Sequence, residues 1–159
     1  AAPRRFPFSL HGRSTSRCCI GTSGVFIHDS IESDSVHDYS QIFHLGENVN
    51  VEITHTNEMI LQSSIDDTSI VLRQLEEFSS FYSFNGSNDP IRGWRSEYFN
   101  QIEPITSVVY YKSDTSTEFR TMIQFDENHL EVEIIEVEDS QLVYRFTDEG
   151  NGILTINLN

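Results

Sequence analysis

The chain has little cysteine and little proline, no long apolar run and, over its first 28 residues, no acid at all. Only two cysteines occur among 159 residues, the adjacent Cys18 and Cys19. Neighbouring cysteines rarely meet disulfide geometry across one peptide bond, and they lack the C-x-x-C spacing of a redox or zinc site. They leave the redox compartment open. No stretch approaches the roughly 20 apolar residues that a membrane-crossing helix needs. The Phe6–Leu10 stretch is too short for the apolar core of a secretion signal. No segment carries a 3.6-residue apolar stripe of helical length. There is no Walker loop, no dinucleotide-binding glycine pattern and no G-x-S-x-G elbow.

Charge is abundant but lopsided. The net charge is −15, and all 25 acidic residues lie at or after Asp29. Residues 1–28 hold Arg4, Arg5, Arg13 and Arg17 alone, whereas the remainder sets Arg73, Arg92, Arg95, Lys112, Arg120 and Arg145 against every acid. So acidic a body repels phosphate, which argues against nucleic acid and anionic membrane as partners. The change of composition divides the chain into residues 1–23, a basic leader that is functional, non-native or disordered, and residues 24–159, the folded domain.

What is present supports a core: 37% hydrophobic and 11% aromatic residues, with eleven Phe and six Tyr. One domain of this length buries roughly 70% of its unfolded surface. From Gly24 onward the pattern has period two. Strands are expected at Val25–Ile27, His37–Leu45, Val49–His55, Met59–Gln62, Ser69–Leu75, Ile105–Tyr111, Glu118–Phe125, Leu130–Val137, Leu142–Phe146 and Ile153–Leu158. Turn signals fall at residues 46–48, 66–67, 85–86, 114, 126–128, 139–140 and 149–152. About ten short strands at this spacing imply an all-β, antiparallel β-sandwich. Parity shifts within Leu130–Val137, which predicts a β-bulge. Phe78–Gln101 reads as a long aromatic loop, the kind that carries function or is covered by another domain.

Two stretches resemble a known family. Asp29-Ser-Ile31, followed by His37, Tyr39, Phe43, His44 and Leu45, resembles a strand pair of heparinase II/III-like polysaccharide lyases. Arg92 to Pro104, RGWRSEYFNQIEP, is similar to that family's Gly-Trp-x-Ser-x-Tyr-(Tyr/Phe)-Gly-x-x-Glu-Pro segment, with Asn100 where Gly is usual. Glu118–Phe125 resembles the strand that follows, so the likeness covers about Gly24–Phe125. It implies the C-terminal β-sandwich of an enzyme that cleaves uronic-acid glycans by β-elimination. It also implies a partner, an upstream α/α-toroid carrying most catalytic groups, an acidic polysaccharide substrate, and a periplasmic or secreted location. The family's His-Asn pair does not occur in this sequence. A β-elimination needs a base, an acid and a neutraliser for the carboxylate. With no catalytic residue to assign, the chain alone is expected to be inactive.

The resemblance further implies Zn²⁺ bound by sandwich histidines and an Asp, with His44 and Asp29 as ligands and His28 as a neighbour. The alternative for His44 is a half-buried histidine hydrogen-bonded within the sheet. Arg92, Trp94, Arg95 and Tyr98 are the expected substrate-binding cluster, since aromatic faces stack on sugars and arginine forks grip carboxylate or sulfate. Against this stands packing of the same loop on the toroid, with Trp94 as anchor. The rival for the whole chain is a sandwich that binds a glycan or protein surface without catalysis.

Overall fold

The computed structural model describes residues 12–20, 24–78, 80–125, 131–137, 141–147 and 153–158; for residues 12–13, 19–20 and those after 125, Arg145 apart, it describes the backbone alone. No helix occurs among them. The strands in order are β1 (Gly12–Ile20), β2 (Gly24–His44), β3 (Val49–His55), β4 (Glu58–Ser63), β5 (Ser69–Gln74), β6 (Ser80–Asn85), β7 (Ser87–Asn88), β8 (Ile91–Arg92), β9 (Trp94–Arg95), β10 (Glu103–Pro104), β11 (Thr106–Gln124), β12 (Glu131–Val137), β13 (Gln141–Thr147) and β14 (Ile153–Leu158). Their pairings with a defined register are antiparallel, as the all-β reading requires.

The chain divides into two compact units, and β1, β2 and β11 each give one part to each. The first unit takes residues 28–45 and 76–119 and centres on the start of β11. There Ser107, Val108, Val109 and Tyr110 are buried in succession, so both faces of the strand are covered. β6 pairs along this stretch, from Thr106 opposite Asn85 to Tyr111 opposite Ser80, and β2 is also a neighbour of β11. The Tyr110 ring meets Phe78, Phe81 and Phe43 at centroid distances of 5.0, 5.2 and 6.4 Å, a cluster that favours tilted and edge contacts.

The second unit takes residues 17–27, 46–75 and 120–159. Its main sheet runs β2-β11-β5-β4-β3, and β12-β13-β14 form a separate meander. Phe26, Met59, Leu61, Leu72 and Met122 are the buried apolar residues among its described side chains, and buried Gln74 donates to Thr121 Oγ1 at 2.7 Å. Gly24 is obligatory by close approach, because a Cβ there would run into the Ile123 carbonyl.

Several details depart from expectation. Val25–Ile27 and His37–Leu45 are parts of one 21-residue strand, β2. Ile105–Tyr111 and Glu118–Phe125 are joined in the same way within 19-residue β11, although the chain folds back around Asp114, where Lys112 Nζ reaches the Glu118 carbonyl. The linking residues, 32–38 of β2 and 113–116 of β11, are almost all exposed. With no face to bury they lack apolar alternation, and the Gln41–Asp29 and Lys112–Glu118 contacts show that the chain folds back in both places. The Leu130–Val137 bulge is also absent, since Glu131 to Val137 pairs with Thr147 to Gln141 in unbroken register. The parity change there is one of residue type and not of backbone. The irregularity sits between Ile53 and His55 of β3, where Thr54 Oγ1 donates to Glu58 Oε1 at 3.0 Å. Gly12–Ile20 of the basic leader forms β1 beside β2, and Cys18 is an exposed free thiol. The turn signals at 126–128, 139–140 and 149–152 lie outside the described residues.

Candidate functional site

Phe78–Gln101 is no open loop. It contains β6, the β7–β8 hairpin and β9, which pairs with β10. Two glycines make this possible. Gly93 adopts φ +71°, and a Cβ there would stand 2.8 Å from the carbonyl oxygens of both Ile105 and Phe84. Its own carbonyl accepts from Gly86 N at 2.9 Å and from Ile105 N at 2.8 Å. Gly86 adopts φ +59° and lies against the Trp94 ring, 3.4 Å from a Cβ placed there. Left-handed backbone of this kind favours glycine. Asn100, at φ +63°, takes the same conformation, which Asn tolerates better than other side chains.

This framework sets Trp94 and Arg92 beside His44. A pocket of about 280 Å³ is lined by Ile42, His44, Ile91, Arg92, Gly93, Trp94 and Ser107. Trp94 Nε1 donates to the Ser87 carbonyl at 2.8 Å, which fixes the ring as a wall. His44 Nδ1 lies 2.8 Å from Ser107 Oγ, so the in-sheet hydrogen bond anticipated for His44 is present, but the residue is exposed and not half-buried. The expected metal ligand and the expected sugar-facing pair thus share one pocket, a juxtaposition carried by Ser107. Nothing in the residues around Ser107 announces that role, because the contact spans 63 positions.

Other expected members lie elsewhere. Asp29 Oδ2 accepts from Gln41 Nε2 at 2.9 Å, and Oδ1 accepts from Ser16 Oγ. Asp29 is thus engaged with Ser16 and Gln41, His44 pairs with Ser107, and Asp29 does not line the pocket at His44. Zn²⁺ sites take three or four ligands converging at about 2 Å. No group of three His, Cys, Asp or Glu side chains is placed to hold a metal among the described residues. His28 is buried and lies 3.6 Å from Glu118 Oε2. Arg95 is held by Glu97 at 3.1 Å and Glu103 at 3.0 Å. Tyr98 is exposed, with Phe99 and Ile102, and does not line the pocket.

A larger groove of about 850 Å³ in the same unit escaped sequence reasoning. Glu32, Asp34, Glu76, Asp114 and Glu118 line it with Lys112. Lys112 Nζ donates to the Glu118 carbonyl and sits 5.2 Å from the Phe119 ring centroid. The only sequence signal was the polar run in each long strand. His37 and Tyr39 serve the sheet: His37 Nε2 lies 3.0 Å from Ser35 Oγ, and Tyr39 donates to the Thr115 carbonyl at 3.4 Å.

No protein-family model and no curated protein matches the chain. Among solved structures it is similar to the heparan sulfate lyase HepC from Pedobacter heparinus, with a TM-score of 0.64 at 14% identity over 84% of this chain and 22% of that one. A mutant of that lyase matches with a TM-score of 0.64 at 12% identity, over 92% of this chain and 28% of the other. The chain thus spans about a quarter of the length of the lyase chains it matches. At such identity the shared property is the fold: this all-β chain resembles a part of a heparan sulfate lyase.

Proposed function

We propose that the chain acts as the non-catalytic β module of a heparinase II/III-like polysaccharide lyase, forming one wall of a cleft for uronic-acid glycans outside the cytoplasm. The observation that carries this is the fold likeness to HepC over 84% of the chain. The Asp29–Leu45 and Arg92–Pro104 motifs point to the same family. The catalytic groups would come from an α/α-toroid. Exposed Tyr98, Phe99 and Ile102 support a covered face, since apolar groups clustered in sequence and left in solvent mark surfaces that meet a partner. Affinity electrophoresis tests the reading. Heparan sulfate in the gel should retard the full chain, a neutral glycan of similar length should not, and incubation should yield no ultraviolet-absorbing unsaturated uronate. Equal mobility in both gels, or product from this chain alone, overturns it.

A further inference from the structure

We propose that the pocket of His44, Ser107, Arg92 and Trp94 holds a single sugar residue by its acidic group, a carboxylate or a sulfate ester. That the ligand is a glycan rests on the function proposed above; the preference for an anion rests on the pocket itself. No acid among the described residues lines it, whereas the larger groove of the same unit carries five. Arg92 meets no carboxylate among the described residues, while nearby Arg95 is held by two. In a chain of net charge −15, an unpaired guanidinium is a two-pronged donor left for a ligand, and carboxylate and sulfate both match that fork.

His44 adds a second donor. Ser107 is fully buried, so its hydroxyl is fixed, and its contact with Nδ1 leaves Nε2 as the ring nitrogen open to a ligand. When the hydroxyl donates to Nδ1, Nε2 carries the hydrogen and donates outward. Trp94, Ile42 and Ile91 supply apolar walls for the C–H face of a pyranose ring. The volume of about 280 Å³ lies just below the range for drug-sized ligands, which suits one ring better than a run of them.

Trp94 is the chain's single tryptophan, so its fluorescence reports on this pocket. The full chain is titrated with three disaccharides: one with a uronic carboxylate, one sulfated with its carboxyl reduced, and one neutral. A saturable change is expected with at least one acidic disaccharide and none with the neutral one. Whichever acidic disaccharide binds identifies the group. Arg92→Ala and His44→Ala should each weaken binding roughly tenfold or more, as loss of a charge-assisted hydrogen bond does. Arg92→Lys, which keeps charge but loses the fork, should fall between. Neutral binding of equal strength, or variants that bind like the parent, overturns the proposal. If heparan sulfate retards the chain while neither acidic disaccharide alters Trp94 fluorescence, the pocket is wrong and the module reading stands. If heparan sulfate does not retard it either, both fall.

Discussion

Tyr110 sets burial against polarity within a single side chain. It is 0% exposed, and its hydroxyl has no hydrogen-bond partner among the described residues. Desolvation pushes its phenol well above the usual tyrosine range. A buried hydroxyl left without a partner costs about 1–3 kcal/mol, whereas the ring is held by Phe43, Phe78 and Phe81. Tyr110→Phe is therefore expected to raise stability by about 1 kcal/mol in urea denaturation. Tyr110→Ala should cost about 3–5 kcal/mol, because a cavity replaces the ring. A loss in the Phe variant would reveal a partner for the hydroxyl. The sequence shows Tyr110 only as one aromatic in an apolar run; nothing in its neighbours says that both strand faces are covered. His44 is the converse case. Its place in Phe-His-Leu marked it as notable, but what it does depends on Ser107, which no local pattern identifies.

At the scale of elements, period-two alternation reveals strands only where one face is buried. It located the β3–β4–β5 hairpins, because Met59, Leu61 and Leu72 alternate with more exposed residues. It missed that pairing extends into the solvated middles of β2 and β11, and it missed two-residue β7 to β10, which depend on glycine backbone. Gly93→Ala tests that dependence. The clash with two carbonyls, added to φ +71°, should cost at least about 1–3 kcal/mol and shift Trp94 emission through displacement of β9. An unchanged spectrum and midpoint would show that β9 is set by something else. A second test concerns the exposed run where β2 meets β11. Asp38 accepts from Ser113 Oγ at 2.8 Å, and hydrogen bonds from Tyr111 and then Ser113 hold its carboxyl below the usual range. The same Tyr111–Asp38 hydrogen bond pushes the Tyr111 phenol up. The signs follow. The depressed Asp38 contributes above its unfolded range and loses that contribution as pH falls through its lowered value. The raised Tyr111 contributes below its unfolded range and loses that as pH rises through its raised value. In Asp38→Asn, spectrophotometric titration should show one tyrosine ionising at lower pH than in the parent, and an unaltered curve would remove the hydrogen bond from the account.

For the whole molecule, the all-β antiparallel class was legible because alternation and turn chemistry recur along the chain. The two-unit division was not, because three strands pass through both units and no linker marks the boundary. Charge is the global property with the clearest consequence. Proteins that bind polyanions usually present a broad basic face, so salt slows their association. Here a net charge of −15 surrounds a pocket with one unpaired arginine. At about 0.01 M salt the Debye length is about 30 Å, and the body repels an approaching heparan sulfate chain; at about 0.15 M it is about 8 Å, and mainly the pocket is felt. Association followed by Trp94 fluorescence should therefore quicken several-fold as salt rises across that range, while dissociation also quickens because the Arg92 contact is weakened. The two trends oppose each other, so equilibrium affinity changes less than either rate. An association rate that falls steeply with salt would instead point to attraction by a basic surface, and the acid-free stretch holding Arg4, Arg5, Arg13 and Arg17 would be the first place to look for it. Neutralising those four arginines separates the cases: it leaves a pocket-driven salt response in place and abolishes a leader-driven one.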